Sequence, residues 1–131
     1  MPNQIVVAGA LISGPSLLVA QRAGPPALAG LWELPGGKVA AGESDAGALA
    51  RELREELGVE VTVGARIGAD VALNETTTLR AYRVTQTGGA LRANDHRALR
   101  WIGVHDLDGL AWVPADRTWL AELTEALSSP A

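Results

Sequence analysis

Residues 37–59 read GKVAAGESDAGALARELREELGV, and their second half predicts an α-helix. Ser44 is a suitable N-cap, and Asp45 places a negative charge at the positive end of the helix dipole. Gly58 fits the position after the last helical turn, where a left-handed backbone conformation is favoured. The helix would bury one face, because apolar residues recur at i, i+4 and i+8, namely Leu49, Leu53 and Leu57.

The segments on either side of this helix are typical of β-strands. Gln4–Ile12 is β-branched and apolar, as in a buried strand, and the turn at 13–16 leads to a returning strand at Leu17–Gln21. The two prolines and two glycines of 23–30 indicate a loop. We expect further extended segments at Trp32–Leu34, Val59–Val63, Ile67–Leu73, Thr77–Gln86 and Leu99–Val104.

The last third of the chain supplies a turn and a second helix. Gly88-Gly89 predicts a hairpin turn. Pro114 opens a terminal helix whose apolar residues include Trp119, followed by a frayed tail at Ser128–Ala131. Trp119 and Trp101 both fit core positions by pattern. The predicted fold class is α/β, with a mixed sheet and two helices.

The composition limits the classes of protein to which the chain can belong. Its 131 residues fit a single domain, 1–131, and 47% hydrophobic with 20% charged residues is the balance of a globular protein. No apolar run approaches the ~20 residues that span a bilayer, and no secretory signal stands out, so we expect a cytoplasmic protein with no membrane partner. There is no cysteine for a disulfide or a thiolate metal site.

The net charge of −4 argues against a nucleic acid polymer as partner. It leaves room for a small anionic ligand held through a divalent cation.

Three glutamates gather on the predicted helix beside a glycine loop. Glu52 lies at i, i+3 from Glu55 and at i, i+4 from Glu56, so all three share a helix face. Taken alone, such a string is typical of a solvated surface laced with ion pairs. The preceding Gly36-Gly37 changes this interpretation, because glycines allow close backbone approach and carboxylate oxygens suit Mg²⁺.

The spacing of these residues resembles the signature of a known family. Gly37, then Glu43 after five residues, then Arg51–Val59 after seven more, fill every fixed position of the Nudix box. The wider chain is similar to MutT-type Nudix hydrolases, in the branch of small bacterial CTP and oxidised-nucleotide pyrophosphohydrolases. The resemblance implies an α/β/α sandwich around a mixed sheet. It also implies hydrolysis of a nucleoside triphosphate to the monophosphate and pyrophosphate with Mg²⁺, or alternatively Mn²⁺.

The same resemblance implies roles for individual residues. The expected metal ligands are the Gly36 carbonyl, Glu52, Glu55 and Glu56. The expected catalytic residues are Glu52, Glu55 and Asp95, with Asp95 positioning or deprotonating water. Arg22 and Lys38 would hold phosphate oxygens. Arg51 would orient the box carboxylates, and Glu43 would support the loop or meet a metal through water.

Several of these assignments have a structural alternative. Asp95 follows Asn94, a pair that also suits a plain turn. His96 has the titration range of a base, but we expect an exposed loop histidine. Trp32 either flanks the base or packs in the core.

By the same resemblance, Asp116 matches a family position that meets the edge of the base, so it is the candidate base-binding residue. An ionised carboxylate only accepts hydrogen bonds, so it suits the exocyclic amine of cytosine better than the O6 acceptor of 8-oxoguanine. Its alternative role is a helix cap. CTP or dCTP, including 5-methyl forms, is therefore the favoured substrate, and 8-oxo-dGTP is the alternative within the same class. A catalytically inactive nucleotide-binding module is the alternative from another class. A monomer and a homodimer are both compatible with the sequence.

Overall fold

The computed structural model describes residues 3–128. The strands are β1 Gln4–Ser13, β2 Ser16–Gln21, β3 Trp32–Glu33, β4 Gly36–Lys38, β5 Val59–Asn74, β6 Thr77–Gly89 and β7 Ala98–Ile102. The helices are α1 Asp45–Leu57, α2 Pro114–Arg117 and α3 Leu120–Ser128, with a 3-10 turn at Val104–Asp106. Within this described range, every helix is too short or too polar to cross a bilayer.

Strand β1 lies at the centre of a mixed sheet. It runs parallel to β6 and antiparallel to β2 and β4. Its side chains alternate between two cores, with Val7 and Leu11 packed with the apolar face of α1, and Ala8 and Ile12 packed with Trp119 and the α3 side. The sheet is thus covered on both faces, which confirms the α/β class and the α/β/α sandwich.

Helix α1 begins and ends where the sequence predicts. The Ser44 hydroxyl accepts a hydrogen bond from the Gly47 N–H at 3.0 Å, and Gly58 closes the helix in a left-handed conformation with φ of 74°. Asp45 does more than favour the helix dipole, because its Oδ2 accepts hydrogen bonds from Tyr82 Oη at 2.6 Å and Arg80 Nη1 at 2.9 Å. These two bonds tie the start of α1 to β6.

The predicted turn at Gly88-Gly89 is wrong. Strands β5 and β6 reverse at residues 75–76, and β6 continues through Gly89, which pairs with Val59. The segments expected at 59–63 and 67–73 are one long strand, β5, whose pairing with β6 is interrupted by bulges. Gly89 is required for another reason: a Cβ there would lie 2.3 Å from the Gly58 carbonyl oxygen.

The C-terminal segment also departs from expectation. Pro114 does open a helix, but the helix ends at Arg117 and a second one starts at Leu120. Between them Trp119 enters the core, where its indole N–H donates to the Ala69 carbonyl at 2.9 Å. The core position predicted for Trp101 is wrong, because its side chain lies on the outer face of β7 and is 41% exposed. Residues 129–131 of the predicted tail lie outside the described residues.

The two glycines Gly89 and Gly14 provide a matched test of the strand register. Both have positive φ, but a Cβ at Gly14 meets nothing within 4 Å. We expect Gly14→Ala to lower the free energy of unfolding by roughly 1–2 kcal/mol, the cost of the left-handed conformation alone. Gly89→Ala should cost about 3 kcal/mol or more, since backbone must also move. Urea unfolding midpoints measure both, and equal losses would contradict the packing of β6 on Gly58.

Candidate active site

A cavity of about 400 Å³ opens beside the C-terminal half of α1. Part of its wall carries Gly36, Gly37, Glu56 and Asp95. A second part carries Leu34, Val113, Ala115 and Asp116, and between these parts lie Arg22, Glu33 and His96. The remaining residues of the wall are apolar, namely Val6, Val7, Ala8, Ala23, Gly24, Leu28, Leu73 and Leu79.

The end of α1 holds the loop that forms one wall of the cavity. The backbone N–H of Arg92 donates to the Leu57 carbonyl at 2.8 Å, and that of Asn94 donates to the Glu56 carbonyl at 3.1 Å. The Asn94 side chain also donates to the Glu55 carbonyl at 3.0 Å. These carbonyls have no partner within the helix, so the loop satisfies them and is fixed in return. The next residue along the loop is Asp95, which therefore faces the cavity.

The glycine loop makes room for the carboxylates. A Cβ on Gly37 would lie 2.1 Å from Glu52 Oε2, and a Cβ on Gly36 would lie 1.9 Å from the Val7 carbonyl oxygen. Both distances are far inside van der Waals contact. Only glycine at these two positions lets strand β4 approach strand β1, at Gly36, and helix α1, at Gly37, so closely.

Arg51 gathers the neighbouring acidic groups. Its guanidinium donates to Glu43 at 2.7 and 2.8 Å, to Glu52 at 2.6 Å and to Glu55 at 3.4 Å. The Arg51 hydrogen bond, followed by one from the Ala40 N–H, lowers the pKa of Glu43 to about 2. Hydrogen bonds to Glu43 and Glu52 raise the pKa of Arg51, so the pair of Arg51 and Glu43 stays charged across the physiological range.

Glu56 is the electrostatic exception. Burial, together with the negative charges of Glu52, Glu33 and Asp95, raises the pKa of Glu56 to about 8, and burial contributes most. A hydrogen bond from the Gly36 backbone only partly offsets this rise. Glu56 Oε2 is buried and finds no hydrogen-bond partner among residues 3–128. A buried carboxylate oxygen surrounded by like charges fits a hard divalent cation, which prefers oxygen ligands.

The four expected metal ligands are not equally placed. Gly36 and Glu56 line the cavity, and Glu52 lies against Gly37. The Glu55 side chain is 59% exposed and turned towards Arg51. Within the described range, no three acidic or histidine side chains already form a metal-ligand set. For Glu55 to ligate an ion bound at Glu56, its side chain would have to leave Arg51 and rotate towards Glu56.

The two expected phosphate-binding residues also differ. Arg22 lines the cavity, where its Nη1 donates to Glu33 Oε1 at 2.9 Å and its Nε donates to the Gly24 carbonyl at 2.9 Å. Lys38 is exposed and lies on β4 next to Gly37, outside the residues that line the cavity.

Two cavity residues were not assigned a role from the sequence. Glu33 is held by Arg22 and contacts His96, whose Nε2 lies 3.0 Å from Glu33 Oε2. The expectation that His96 is exposed is wrong, because its side chain is only 7% exposed. The Arg97 N–H donates to the Gln21 carbonyl at 2.8 Å, and this bond holds the loop that carries His96 against β2. No local pattern signals this pairing, because it joins residues 76 positions apart.

Asp116 is buried in the cavity wall and is not a helix cap. The N-cap of α2 is Val113, and Asp116 Oδ2 instead accepts a hydrogen bond from the Leu34 N–H at 2.7 Å. Burial raises the pKa of Asp116 to about 7; the Leu34 bond and the Arg22 charge lower it, and the Glu33 charge raises it. The pKa of this carboxyl group is therefore well above that of an ordinary aspartate.

Trp32 lies beside the cavity and not in its wall. It packs against the core on the α3 side, and its backbone N–H donates to the Ala111 carbonyl at 2.8 Å. The residues that line the cavity include its neighbours Glu33 and Leu34 but not Trp32. Of its two expected roles, the geometry favours core packing.

A mixed sheet covered by helices, with glutamates packed against a glycine loop, is the arrangement that the resemblance to the Nudix box implies. Residues 3–124 match the NUDIX domain model, and the chain belongs to the Nudix family. Members of this family generally use divalent metals such as Mg²⁺.

Relatives with assigned names are similar over most of their length. A Mycobacterium tuberculosis protein provisionally named 8-oxo-dGTP diphosphatase 2 is 62% identical, over 100% of this chain and 95% of the relative. The CTP pyrophosphohydrolase of Escherichia coli is 40% identical, over 85% of this chain and 84% of the relative.

Solved structures show the same architecture. The solution structure of the E. coli ORF135 protein aligns with a TM-score of 0.81 and 34% identity, covering 98% of this chain and 93% of the other. A MutT Nudix hydrolase from Burkholderia pseudomallei aligns with a TM-score of 0.77 and 28% identity, covering 95% and 100%.

Glu56→Gln tests the cation site through stability. The amide carries no charge that Glu52, Glu33 and Asp95 could repel, so we expect an equal or higher melting temperature in chelator. Mg²⁺ with nucleotide should stabilise the wild type, by about 2.7 kcal/mol at a ligand concentration one hundred times Kd, and so raise its melting temperature. The melting temperature of the variant should rise far less. Turnover of the variant should be largely lost.

The matched control is Glu60→Gln, which removes an exposed glutamate paired with Arg54. It should respond to Mg²⁺ as the wild type does. An equal Mg²⁺-induced shift in Glu56→Gln and the wild type would show that Glu56 does not bind the ion.

Proposed function

We propose that the protein is a Mg²⁺-dependent pyrophosphohydrolase that converts CTP or dCTP, including 5-methyl forms, to the monophosphate and pyrophosphate. Its enzyme class, nucleoside triphosphate pyrophosphatase, follows from the family and from its relatives. The single observation that carries the proposal is one cavity that joins Glu56, with its unpartnered oxygen, to Asp116, a buried group able to meet a base.

The carboxylate part of the cavity suits the triphosphate. Gly36, Glu52, Glu55 and Glu56 would hold the ion, with Mn²⁺ as an alternative to Mg²⁺. When bound, the ion neutralises phosphate charge and lowers the pKa of water. Arg22 offers its guanidinium to phosphate oxygens.

Asp95 is the group that we assign to orienting the attacking water. Its carboxylate is exposed in the cavity wall and close enough to Glu56 to raise the pKa of that residue. Water adds to phosphorus, a P–O bond to the pyrophosphate breaks, and the proton lost by the water passes to a carboxylate or to solvent.

The Asp116 part of the cavity suits the base. Because Oδ2 is held by the Leu34 N–H, the other oxygen, Oδ1, is the one that meets a ligand. In the ionised form Oδ1 accepts from the exocyclic amine of cytosine, as a carboxylate does. The name of the E. coli relative, CTP pyrophosphohydrolase, agrees with this choice.

Two observations favour 8-oxo-dGTP as a second candidate. The more similar M. tuberculosis relative bears the name of an 8-oxo-dGTP diphosphatase. In addition, a pKa of about 7 allows Asp116 to be protonated near neutrality, and the acid O–H donates to the O6 acceptor that an ionised carboxylate repels.

Product analysis with Mg²⁺ tests the proposed reaction. Incubation with CTP, dCTP, 5-methyl-dCTP and 8-oxo-dGTP in separate reactions should release pyrophosphate and the monophosphate, with the highest kcat/KM for a cytosine nucleotide. Diphosphate and inorganic phosphate as products would refute the reaction. Nucleotide binding without turnover of any of the four would instead indicate the inactive module.

The ratio of kcat/KM for dCTP to that for 8-oxo-dGTP should rise with pH. Asp116 loses its proton as pH increases through about 7, so the acceptor for cytosine is present above that pH and the donor for 8-oxoguanine below it. The charged groups facing Asp116 are Glu33 and Arg22, which form a hydrogen bond with each other at 2.9 Å. Specificity constants for both substrates between pH 6 and 8 measure the ratio.

Asp116→Asn should make this ratio independent of pH. The amide retains an acceptor for the Leu34 N–H but weakens a charge-assisted bond to cytosine, and the efficiency for dCTP should fall by about tenfold. The metal chemistry is untouched, so the loss should appear in the ratio. An unchanged ratio in a folded variant would remove Asp116 from base recognition.

A further inference from the structure

Three polar side chains form a line along the cavity wall. Glu33 Oε1 accepts from Arg22 Nη1 at 2.9 Å, and Glu33 Oε2 lies 3.0 Å from His96 Nε2. Because a carboxylate only accepts, the His96 Nε2 carries the proton of this bond. The imidazole is thus fixed in one tautomer and one orientation.

The second nitrogen of His96 is left without a partner. Nδ1 is buried, and none of residues 3–128 forms a hydrogen bond with it. The whole His96 side chain is only 7% exposed and lines the cavity. Burying a polar atom without a hydrogen bond is unfavourable, so we take the unpaired Nδ1 of this cavity-lining residue as a group that a bound ligand would satisfy.

His96 is anchored on the side of the cavity that carries the carboxylates. The Asn94 N–H donates to the Glu56 carbonyl at 3.1 Å, and Asp95 lies between Asn94 and His96 in the sequence. The loop cannot move away from Glu56 without breaking this bond.

Glu33, the hydrogen-bond partner of His96, is anchored on the side of the cavity that carries Asp116. Glu33 directly precedes Leu34, whose N–H donates to Asp116 Oδ2 at 2.7 Å. The charge of Glu33 raises the pKa of both Glu56 and Asp116, which agrees with a position between the two. The bond between His96 and Glu33 therefore bridges the metal end and the base end of the cavity.

We propose that His96 Nδ1 binds a hydroxyl group of the nucleotide sugar and that Glu33 positions the imidazole for it. This inference rests on the proposed function, since it takes the triphosphate to lie at Glu56 and the base at Asp116. In a nucleotide the pentose joins those two parts. A hydroxyl both donates and accepts, so it pairs with Nδ1 whether the ring is neutral or charged.

A series of cytosine nucleotides isolates each hydroxyl. CTP and dCTP differ by the 2′-hydroxyl, and dCTP and 2′,3′-dideoxy-CTP differ by the 3′-hydroxyl. In the wild type, kcat/KM should fall at one of these two steps by about three- to tenfold, the value of one hydrogen bond.

Two substitutions of His96 separate its two nitrogens. His96→Gln keeps an amide near the Nε2 position, within reach of Glu33, but leaves no polar atom at Nδ1. His96→Asn places its amide near Nδ1 and gives up the bond to Glu33. We expect His96→Gln to abolish the discrimination at the hydroxyl step, and His96→Asn to retain part of it. The control is His105→Gln, which changes the other histidine, an exposed residue of the 3-10 turn.

A purely structural role for His96 predicts a different result. Loss of packing would lower kcat/KM for all three nucleotides by the same factor and leave their ratios unchanged. Unchanged ratios in folded His96→Gln and His96→Ala, or no discrimination at either step in the wild type, would overturn the proposal.

Binding of the monophosphates separates this inference from the reaction itself. Calorimetric affinities for CMP, dCMP and 2′,3′-dideoxy-CMP should show the same step in the wild type and its loss in His96→Gln. If no triphosphate is hydrolysed but the step in affinity persists and depends on His96, the proposed reaction is wrong and sugar recognition stands. If triphosphates are hydrolysed but neither measurement depends on His96, the opposite holds.

Discussion

The hydrogen bonds from residues 92–94 to the last carbonyls of α1 organise the candidate site. A helix ends with carbonyl groups that no residue of the helix can satisfy, and here a loop from beyond β6 satisfies those of Glu55, Glu56 and Leu57. One interaction thus stabilises the helix end and places the loop. Asp95 and His96 line the cavity because their neighbours bind the backbone of the glutamate helix.

The second constraint is the close approach of backbone and helix. Gly36 packs on β1 and Gly37 packs on the carboxylate of Glu52, at distances that exclude any side chain. The sheet, the loop and the helix are therefore locked together at the place where charge is concentrated. Arg51 compensates much of that charge, but the buried Oε2 atom of Glu56 has no hydrogen-bond partner within the described range. A buried acid beside other acids lowers the stability of the fold, and such a cost is expected at a site that binds a cation.

The cavity has a chemical polarity along its length. Acidic groups suited to a cation lie near Glu56, and the buried carboxyl group of Asp116, with a pKa of about 7, lies at the other end. The bond between Glu33 and His96 lies between these two ends. A nucleoside triphosphate has the same order of groups: phosphates, sugar and base. This correspondence links the separate residue assignments into a single binding mode.

The sequence by itself determined the local elements. Local rules of helix and strand formation predict the caps of α1, its buried leucines and the buried strand β1, so these elements and the α/β class were predictable. The spacing of the glycine and glutamate residues is read directly from the sequence. Tertiary structure decided the rest. Gly89 continues a strand because Gly58 packs against it, and His96 is buried because its loop pairs with β2. Asp116 and Glu56 have raised pKa values because residues distant in the chain bury them, and the charge of Glu33 adds to the rise at both. At Glu56 the charges of Asp95 and of the helix neighbour Glu52 add to it as well. Burial and charge at a site are sums over residues far apart in the chain, so no local pattern encodes them.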